Sequence, residues 1–294
     1  ATGQEAALRR MLTGAPEISM PFDANRYGPV YKTHRKCETT DVVSVDADAD
    51  HPPMRNYYRL RTPEGYLFFH PHDDHQFDVG GGAPTMERAK QNVSDVISKI
   101  PGVLPEVAGE GVEKNIKALP PDAIVAGGFL VVGHAAAQVH PTHGCGISTA
   151  YMGALLAAQI LKRARDFSIS TLWEYAHRWM SEMGAHFVAL FPRLKHLEAS
   201  EIVFLMEHGV INGETLSNDY NGNYLPPNVN ERRRLEDAYP KNPEVARKWL
   251  RLEAASRRGF EHYRNYPSHW SEYAFELWRA GKPEQPEAAQ TGRR

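Results

Sequence analysis

Cysteine is nearly absent: Cys37 and Cys145 are the only two in 294 residues. Two thiols cannot build a disulfide framework, so a reducing cytoplasm is the expected setting. Charge of one sign is also lacking. The 34 Lys and Arg against 36 Asp and Glu leave no basic excess for a nucleic acid to exploit. No apolar run approaches the ~18 residues of a membrane-spanning helix. The start is neither basic nor followed by an apolar core, so no signal peptide is expected. Two catalytic signatures are missing as well. No Gly-x-Ser-x-Gly elbow announces a serine hydrolase. No Gly-x-Gly-x-x-Gly fingerprint occurs either: Gly80-Gly81-Gly82-Ala83-Pro84-Thr85 lacks the third glycine and a strand–helix context. Hydrophobic content (41%) and aromatic content (10%) are those of a globular protein, and the length suffices for one large or two ordinary domains. There is no internal repeat.

Along the chain, residues 1–14 read as a strand end and a short helix, and residues 15–83 as β. Strand candidates are Thr40 to Asp46, Asn56 to Arg61, Gly65 to Pro71 and Gln76 to Gly80, with turns at Thr62-Pro63-Glu64-Gly65 and at His72-Asp73-Asp74-His75. Apolar spacing predicts a helix over Met86 to Ile100, ended by Pro101-Gly102, and a return strand over Val112 to Ala118. Beyond Ser168 the pattern is helical: Thr171 to Leu190, Ser200 to Glu207, Pro243 to Arg258 and His262 to Arg279. Asn212-Gly213 and Asn221-Gly222 read as turns. Trp173, Tyr175, Trp179, Phe187, Leu190 and Phe191 make one aromatic-rich helix expected to be mostly core. Arg232-Arg233-Arg234 reads as a solvated face.

The most informative stretch runs from Val132 to Ile147. An apolar run, Phe129 to Val132, reads as a buried strand. Small residues follow at Gly133, Ala135, Ala136, Ala137, Gly144 and Gly146, and an Ala/Leu-rich helix spans Ser148 to Arg163. A strand, a small-residue turn and a helix start direct backbone N–H groups and the positive end of a helix dipole at an electron-rich ligand. Ser148 and Thr149 are expected to cap that helix. The order Gly-x-Ala-Ala-x-Gln-x-x-Pro-x-x-Gly-x-Gly-Ile (Gly133, Ala135, Ala136, Gln138, Pro141, Gly144, Gly146, Ile147) resembles the second FAD-binding motif of flavoprotein oxidoreductases. It is most similar to that of the geranylgeranyl reductase family. The family's Asp after the first glycine, which holds the flavin's ribityl hydroxyls, is His134 here. Thr2-Gly3 followed by Leu8-Arg9 resembles another motif of the same flavoproteins, one that lies well inside their polypeptide. With no initiator Met and no nucleotide-binding βαβ unit, the chain is expected to be the C-terminal part of a longer protein.

The resemblance implies an α/β (α+β) fold: part of an FAD-binding, Rossmann-like fold of the glutathione-reductase/hydroxylase type, an antiparallel substrate-domain sheet and a helical C-terminal region. The expected division is 1–20 with 121–165 for FAD, 21–120 for substrate and 166–294 for the helices. FAD would be held by Gly3, Gly133, His134, Gln138, Pro141, Gly144, Gly146 and Ile147. Gly65-Tyr66-Leu67-Phe68-Phe69-His70-Pro71 resembles the family's Gly-Tyr-x-Trp-x-Phe-Pro strand beside the isoprenoid cavity, which makes Tyr66, Phe68 and His70 substrate-wall candidates. The implied chemistry is hydride transfer from flavin to a carbon–carbon double bond of an isoprenoid chain, with Tyr66 and Cys145 as candidate proton donors. A flavoprotein dehydrogenase of the electron-transfer type, a monooxygenase, and a chain that has lost flavin stay open as alternatives. Expected partners are a small isoprenoid or lipid substrate and an unidentified electron donor, with peripheral membrane association and no nucleic acid. His70, His72, Asp73, Asp74 and His75 offer a His-x-His spacing that suits a metal. We read them as a polar hairpin turn and expect no metal.

Overall fold

A computed structural model describes residues 27–38, 58–62, 65–72, 75–99, 102–107, 112–117, 119–142, 144 and 146–283. The expectations for residues 1–14 and for Thr40 to Asp46 lie outside them, as do those for Gly3 and Cys145. The fold is a mixture of helices and an antiparallel sheet, and the chain divides into two compact units.

The first unit, residues 27–116, is a curled antiparallel sheet with one helix. Its strands are β1 (Tyr27–Cys37), β2 (Tyr58–Thr62), β3 (Gly65–Pro71), β4 (Gln76–Gly82), β5 (Val103–Val107) and β6 (Val112–Lys117). They run in the order β2-β3-β4-β1-β5, and β6 also pairs with β1. Helix α1 (Met86–Ile97) starts at Thr85, whose hydroxyl accepts the Arg88 N–H. The register fixes what each sheet face carries. Phe77 and Val79 of β4, Leu67 and Phe69 of β3 and Cys37 of β1 are buried with Val93 of α1. The alternate positions lie on the other face: Lys32 and His34 opposite Gly80 and Asp78, and Tyr66, Phe68 and His70 opposite Gly82, Gly80 and Asp78. Strand β5, directly after Pro101-Gly102, has no counterpart in the sequence reading.

The second unit holds the motif stretch and the C-terminal helices. Strands β7 (Val125–Ala126) and β8 (Phe129–Leu130) form a small hairpin around Gly127-Gly128, extended by Val131 N–H donating to Ile124 O at 2.8 Å. The expected buried strand over Phe129 to Val132 is thus only two residues long and half-buried. The glycine pair lets the run fold back on its own neighbour, so it needs no distant strand. Helix α2 (Ile147–Arg163) follows the motif turn. Next come α3 (Ile169–Arg178), a π-helical turn (Trp179–Gly184) and α4 (Ala185–His196). The remaining helices are α5 (Ala199–Glu207), α6 (Gly213–Tyr220), α7 (Val229–Ala238), α8 (Pro243–Arg264) and α9 (Glu272–Ala280). No helix among the described residues is long and apolar enough to cross a membrane.

Three local readings change. Asn212 and Asn221 bracket helix α6. Asn212 caps its start by accepting the Thr215 N–H at 2.9 Å, so Asn212-Gly213 is a helix start, whereas Asn221-Gly222 is the expected turn, at the other end of that helix. The expected helix over His262 to Arg279 is broken between α8 and α9. Pro267 cannot continue a helix, and Ser271 starts a new one by accepting the Ala274 N–H. Helix α7 was not anticipated, because Arg232, Arg233 and Arg234 on its exposed face hide the buried positions Leu235 and Ala238.

The larger core cluster of this unit runs from Ile124, Val125 and Val131 through Ala157 and Ile160 of α2 to Trp173, Tyr175 and Trp179, and on to Phe275 and Trp278, and a second gathers Leu205, Leu235 and Trp249. The aromatic residues expected in the core are buried there. Trp173 donates its indole N–H to Pro267 O at 2.7 Å and stacks on Tyr266, whose hydroxyl donates to Asp122 O at 3.0 Å. Asp122 also pairs with Arg279 and Lys282, which ties the last helix to the start of the unit.

His262 stacks on Trp278 with ring centroids 4.6 Å apart. Burial, aided by the Lys282 ammonium and opposed by Asp122, holds its imidazole down at about 4. Its folded value lies below the unfolded one, so between the two the unfolded chain binds more protons. Stability from this group should be complete above about pH 6.5, the unfolded value of His, and should fall as pH drops towards 4. Denaturant titrations across that window should show a shallower loss in His262→Phe than in the parent. Equal slopes would refute the assignment.

Candidate functional site

The candidate site is the turn between β8 and α2. Its backbone is unusual. Gly133 and Gly144 have φ of 71° each, and Ala137 has φ of 53°, the one positive φ at a non-glycine among the described residues. A left-handed alanine costs about 1–2 kcal/mol and persists only where its surroundings over-determine it. Here Gly133–Ala136 form a short 3-10 turn. Ala137 N–H donates to His134 O at 3.0 Å, and Gln138 N–H donates to Gly133 O at 3.1 Å.

The Gln138 side chain completes the brace. It is fully buried, and its carbonyl accepts the Gly133 N–H at 2.6 Å. Its amide donates to the Tyr175 hydroxyl at 2.7 Å, which in turn donates to Val131 O at 2.9 Å. Burial pushes the Tyr175 hydroxyl's pKa well above its ordinary value, so it stays a neutral donor. Gly153 of α2 leaves room for this amide: a Cβ there would stand 2.3 Å from Gln138 Oε1. Thr149, expected as a helix cap, lies inside the first turn and donates its hydroxyl to Gln138 O at 2.6 Å. The cap position is Gly146, with no side chain closing it.

The structure therefore gathers Gly133, His134, Gln138, Pro141, Gly144, Gly146 and Ile147 into one turn. Pro141, His134 and Gly144 are half-buried and Ile147 is exposed. The first turn of α2 carries no acidic residue, and Lys162 and Arg163 sit in its last, so the helix presents its dipole's positive end at Gly146–Ile147 without a competing side-chain anion. Small residues, left-handed glycines and an uncapped helix start make a cradle that suits an electron-rich ring.

A second layer was missed in the sequence reading. Gly222 lies against His140, and Thr142 donates its hydroxyl to Asp219 O at 2.8 Å, so the end of α6 closes over the motif loop. That end is held by Arg193, whose side chain is 3% exposed. Arg193 donates to Glu253 through Nε at 2.9 Å and to Asp219 Oδ1 at 3.1 Å, and it lies between the rings of Tyr224 and Trp249. The Tyr224 hydroxyl donates to Glu253 at 2.6 Å. No local signal could have found this cluster, because its members are spread over 60 residues.

In the sheet unit, Tyr66, Phe68 and His70 share the face away from α1 by register, and the Phe68 ring lies directly across the Gly80 backbone. Lys32, His34 and Asp78 stand on the same face. The alternation Lys32-x-His34 is visible in the sequence, but its partner on β4 is not.

With this geometry in view, comparison with known proteins is specific. No family model matches the chain. It is 30% identical to a digeranylgeranylglycerophospholipid reductase of Methanopyrus kandleri over 155 residues, 49% of this chain and 41% of the relative. It is 29% identical to one from Methanothermobacter thermautotrophicus over 151 residues, 38% of that protein. A geranylgeranyl bacteriochlorophyll reductase-like protein from Thermoplasma acidophilum aligns with TM-score 0.57 and 19% identity, covering 85% of this chain and 60% of that one. This chain is related to the geranylgeranyl reductases. The match spans about two fifths of the length of those curated relatives.

Two substitutions test the site's construction. Tyr175→Phe leaves the buried Gln138 amide and Val131 O each without a partner, and should cost about 1–3 kcal/mol in a denaturant titration. Arg193→Met strands two carboxylates and should cost about 3–5 kcal/mol. Unchanged midpoints would mean that neither network supports the turn.

Proposed function

We propose that this chain is part of an FAD-dependent oxidoreductase that reduces carbon–carbon double bonds in an isoprenoid chain carried by a lipid. The observation that carries the reading is the braced turn from Gly133 to Ile147, together with the relation to digeranylgeranylglycerophospholipid reductases over about half of the chain. When bound, reduced FAD supplies the hydride. The chain's own contribution is placement and electrostatics. Gly133, Ala135, Ala136 and Gly144 let a flat ring approach the backbone. The N–H groups of Gly146 and Ile147 are the proposed donors towards negative charge on the reduced ring, whereas that of Gly144 is given to His140 O at 2.9 Å. Gln138 acts on the ligand through the turn it braces. Tyr66, Phe68 and His70 are proposed as the wall for the apolar chain, and Tyr66 or Cys145 as proton donor. The expected FAD, substrate and helical regions (1–20 with 121–165, 21–120 and 166–294) remain the proposed division of labour. A peripheral contact with the lipid surface and a cytoplasmic setting belong to the same proposal.

A second reading rests on His134. An Asp accepts hydrogen bonds at both oxygens, a neutral imidazole at one nitrogen, and an imidazolium at none. A chain that keeps the turn but loses this acceptor could bind lipid without flavin.

The chain fused behind a nucleotide-binding βαβ unit, titrated with FAD and followed by absorbance, separates the two. Bound FAD, reduced anaerobically with dithionite beside a geranylgeranylated lipid, should yield product heavier by one H2 per double bond. Bound FAD with no mass gain refutes isoprenoid reduction, and no FAD binding refutes the flavin reading. In addition, His134→Asp should tighten FAD by about 1–2 kcal/mol, the scale of one or two charge-assisted hydrogen bonds. Equal or weaker affinity would make His134 an adapted flavin contact.

A further inference from the structure

The sheet unit carries a cluster of titratable groups that the proposed flavin chemistry does not use. We propose that His34, His72 and Asp78 form a binding site for a divalent transition-metal ion of the zinc class.

The backbone brings the three together. His34 and Asp78 are directly paired across β1 and β4, and His72 follows the end of β3, whose His70 pairs with Asp78. His34 Nδ1 lies 3.0 Å from Asp78 Oδ1, and His72 Nε2 lies 3.1 Å from Asp78 Oδ2. One ligand atom from each residue falls within 4.8 Å of the others. Zinc–nitrogen and zinc–oxygen bonds of about 2.0–2.2 Å place neighbouring ligand atoms of a tetrahedral ion about 3.3 Å apart. The two short contacts fall on different oxygens of Asp78, so a single ligand oxygen matches that spacing to one histidine and the other histidine must draw in. Closing that gap is within reach of the exposed His72 ring at a strand end.

The electrostatics agree. Asp78 is 4% exposed, a buried carboxylate that needs positive charge beside it. His34 turns its other nitrogen, Nε2, to Gln76 Oε1 at 3.0 Å. An imidazole whose second N–H is held by a carbonyl is the arrangement that orients a metal-ligating histidine. Its Nδ1 meets Asp78 Oδ1 at 3.0 Å, a contact that either a shared proton or a bound cation satisfies. Lys32 supplies charge to Asp78 Oδ2. Its side chain is 42% exposed and can withdraw into water, so the ammonium is the competitor that a metal displaces. Three protein ligands leave a fourth position for water or substrate, as at zinc sites with an open position. By register, His34 and Asp78 lie on the sheet face that carries Phe68.

The test uses the untagged full chain, stripped with a chelator and dialysed, titrated calorimetrically with Zn2+ and followed in parallel by Co2+ absorption. One equivalent should bind. Gln76→Ala should weaken it by about 10–100-fold, as removal of an orienting partner does at other sites. His34→Gln and His72→Gln should abolish it, and Lys32→Met should tighten it several-fold. His34 and His72 are partly exposed, so these variants should stay folded, and thermal melting without metal checks that they do. An adventitious site among the chain's 14 histidines would survive His34→Gln. Absence of one-equivalent binding in the parent, binding that persists in His34→Gln, or a Lys32→Met variant that binds no more tightly would each overturn the proposal.

Discussion

The turn that this chain presents depends on one buried amide. Gln138 bonds Gly133 on one side and Tyr175 on the other, and Tyr175 bonds Val131. These bonds close the ring of backbone that holds Ala137 left-handed. They also tie the turn to helix α3, which lies in the middle of the hydrophobic core. Buried polar groups are costly unless fully paired, and here the Gln138 carbonyl, the Gln138 amide and the Tyr175 hydroxyl each have a partner. The surroundings that offset the strain at Ala137 are therefore internal to the protein, and the turn keeps its shape without a ligand.

The helices after α2 form the other half of that support. Arg193, on α4, pairs with Asp219 at the end of α6 and with Glu253 on α8, and Asp219 accepts Thr142 of the motif loop. A guanidinium this deeply buried has lost its hydration, so removing either carboxylate would leave a charge without compensation. The effect is geometric: three helices distant in sequence are held at the back of one loop. The long aromatic cluster of Trp173, Tyr266, Phe275 and Trp278 then closes the same core. In this unit the C-terminal helices and the motif stretch are one packed body.

The sequence was legible where chemistry is local. The Gly-x-Ala-Ala-x-Gln order places the turn and the start of α2 within a residue, because small residues and a helix period leave few alternatives. Strand β3 and helix α1 follow from alternation and from a 3.6-residue period. The readings failed where tertiary partners decide. Thr149 is a helix cap by its neighbours but bonds back to Gln138 by its fold. Phe129 to Val132 is apolar enough for a long strand, and the preceding Gly127-Gly128 cuts it to two residues. Asn-Gly pairs mark chain reversals as readily as helix ends, and only the Thr215 N–H on Asn212 settles which. The Arg193 cluster joins residues 26 to 60 positions apart, and Lys32 and His34 reach Asp78 from 46 and 44 positions away, beyond any local pattern.

Because the brace is internal, side chains that face the cradle can change without altering its shape. His134 lies in the 3-10 turn, yet the hydrogen bonds that fix that turn there run through its backbone carbonyl, which Ala137 N–H reaches, and through Gly133 and Gln138. An aspartate at the same position would keep all of them. Ligand affinity and fold stability are thus separable here in a way they are not at Gln138, where one side chain serves both.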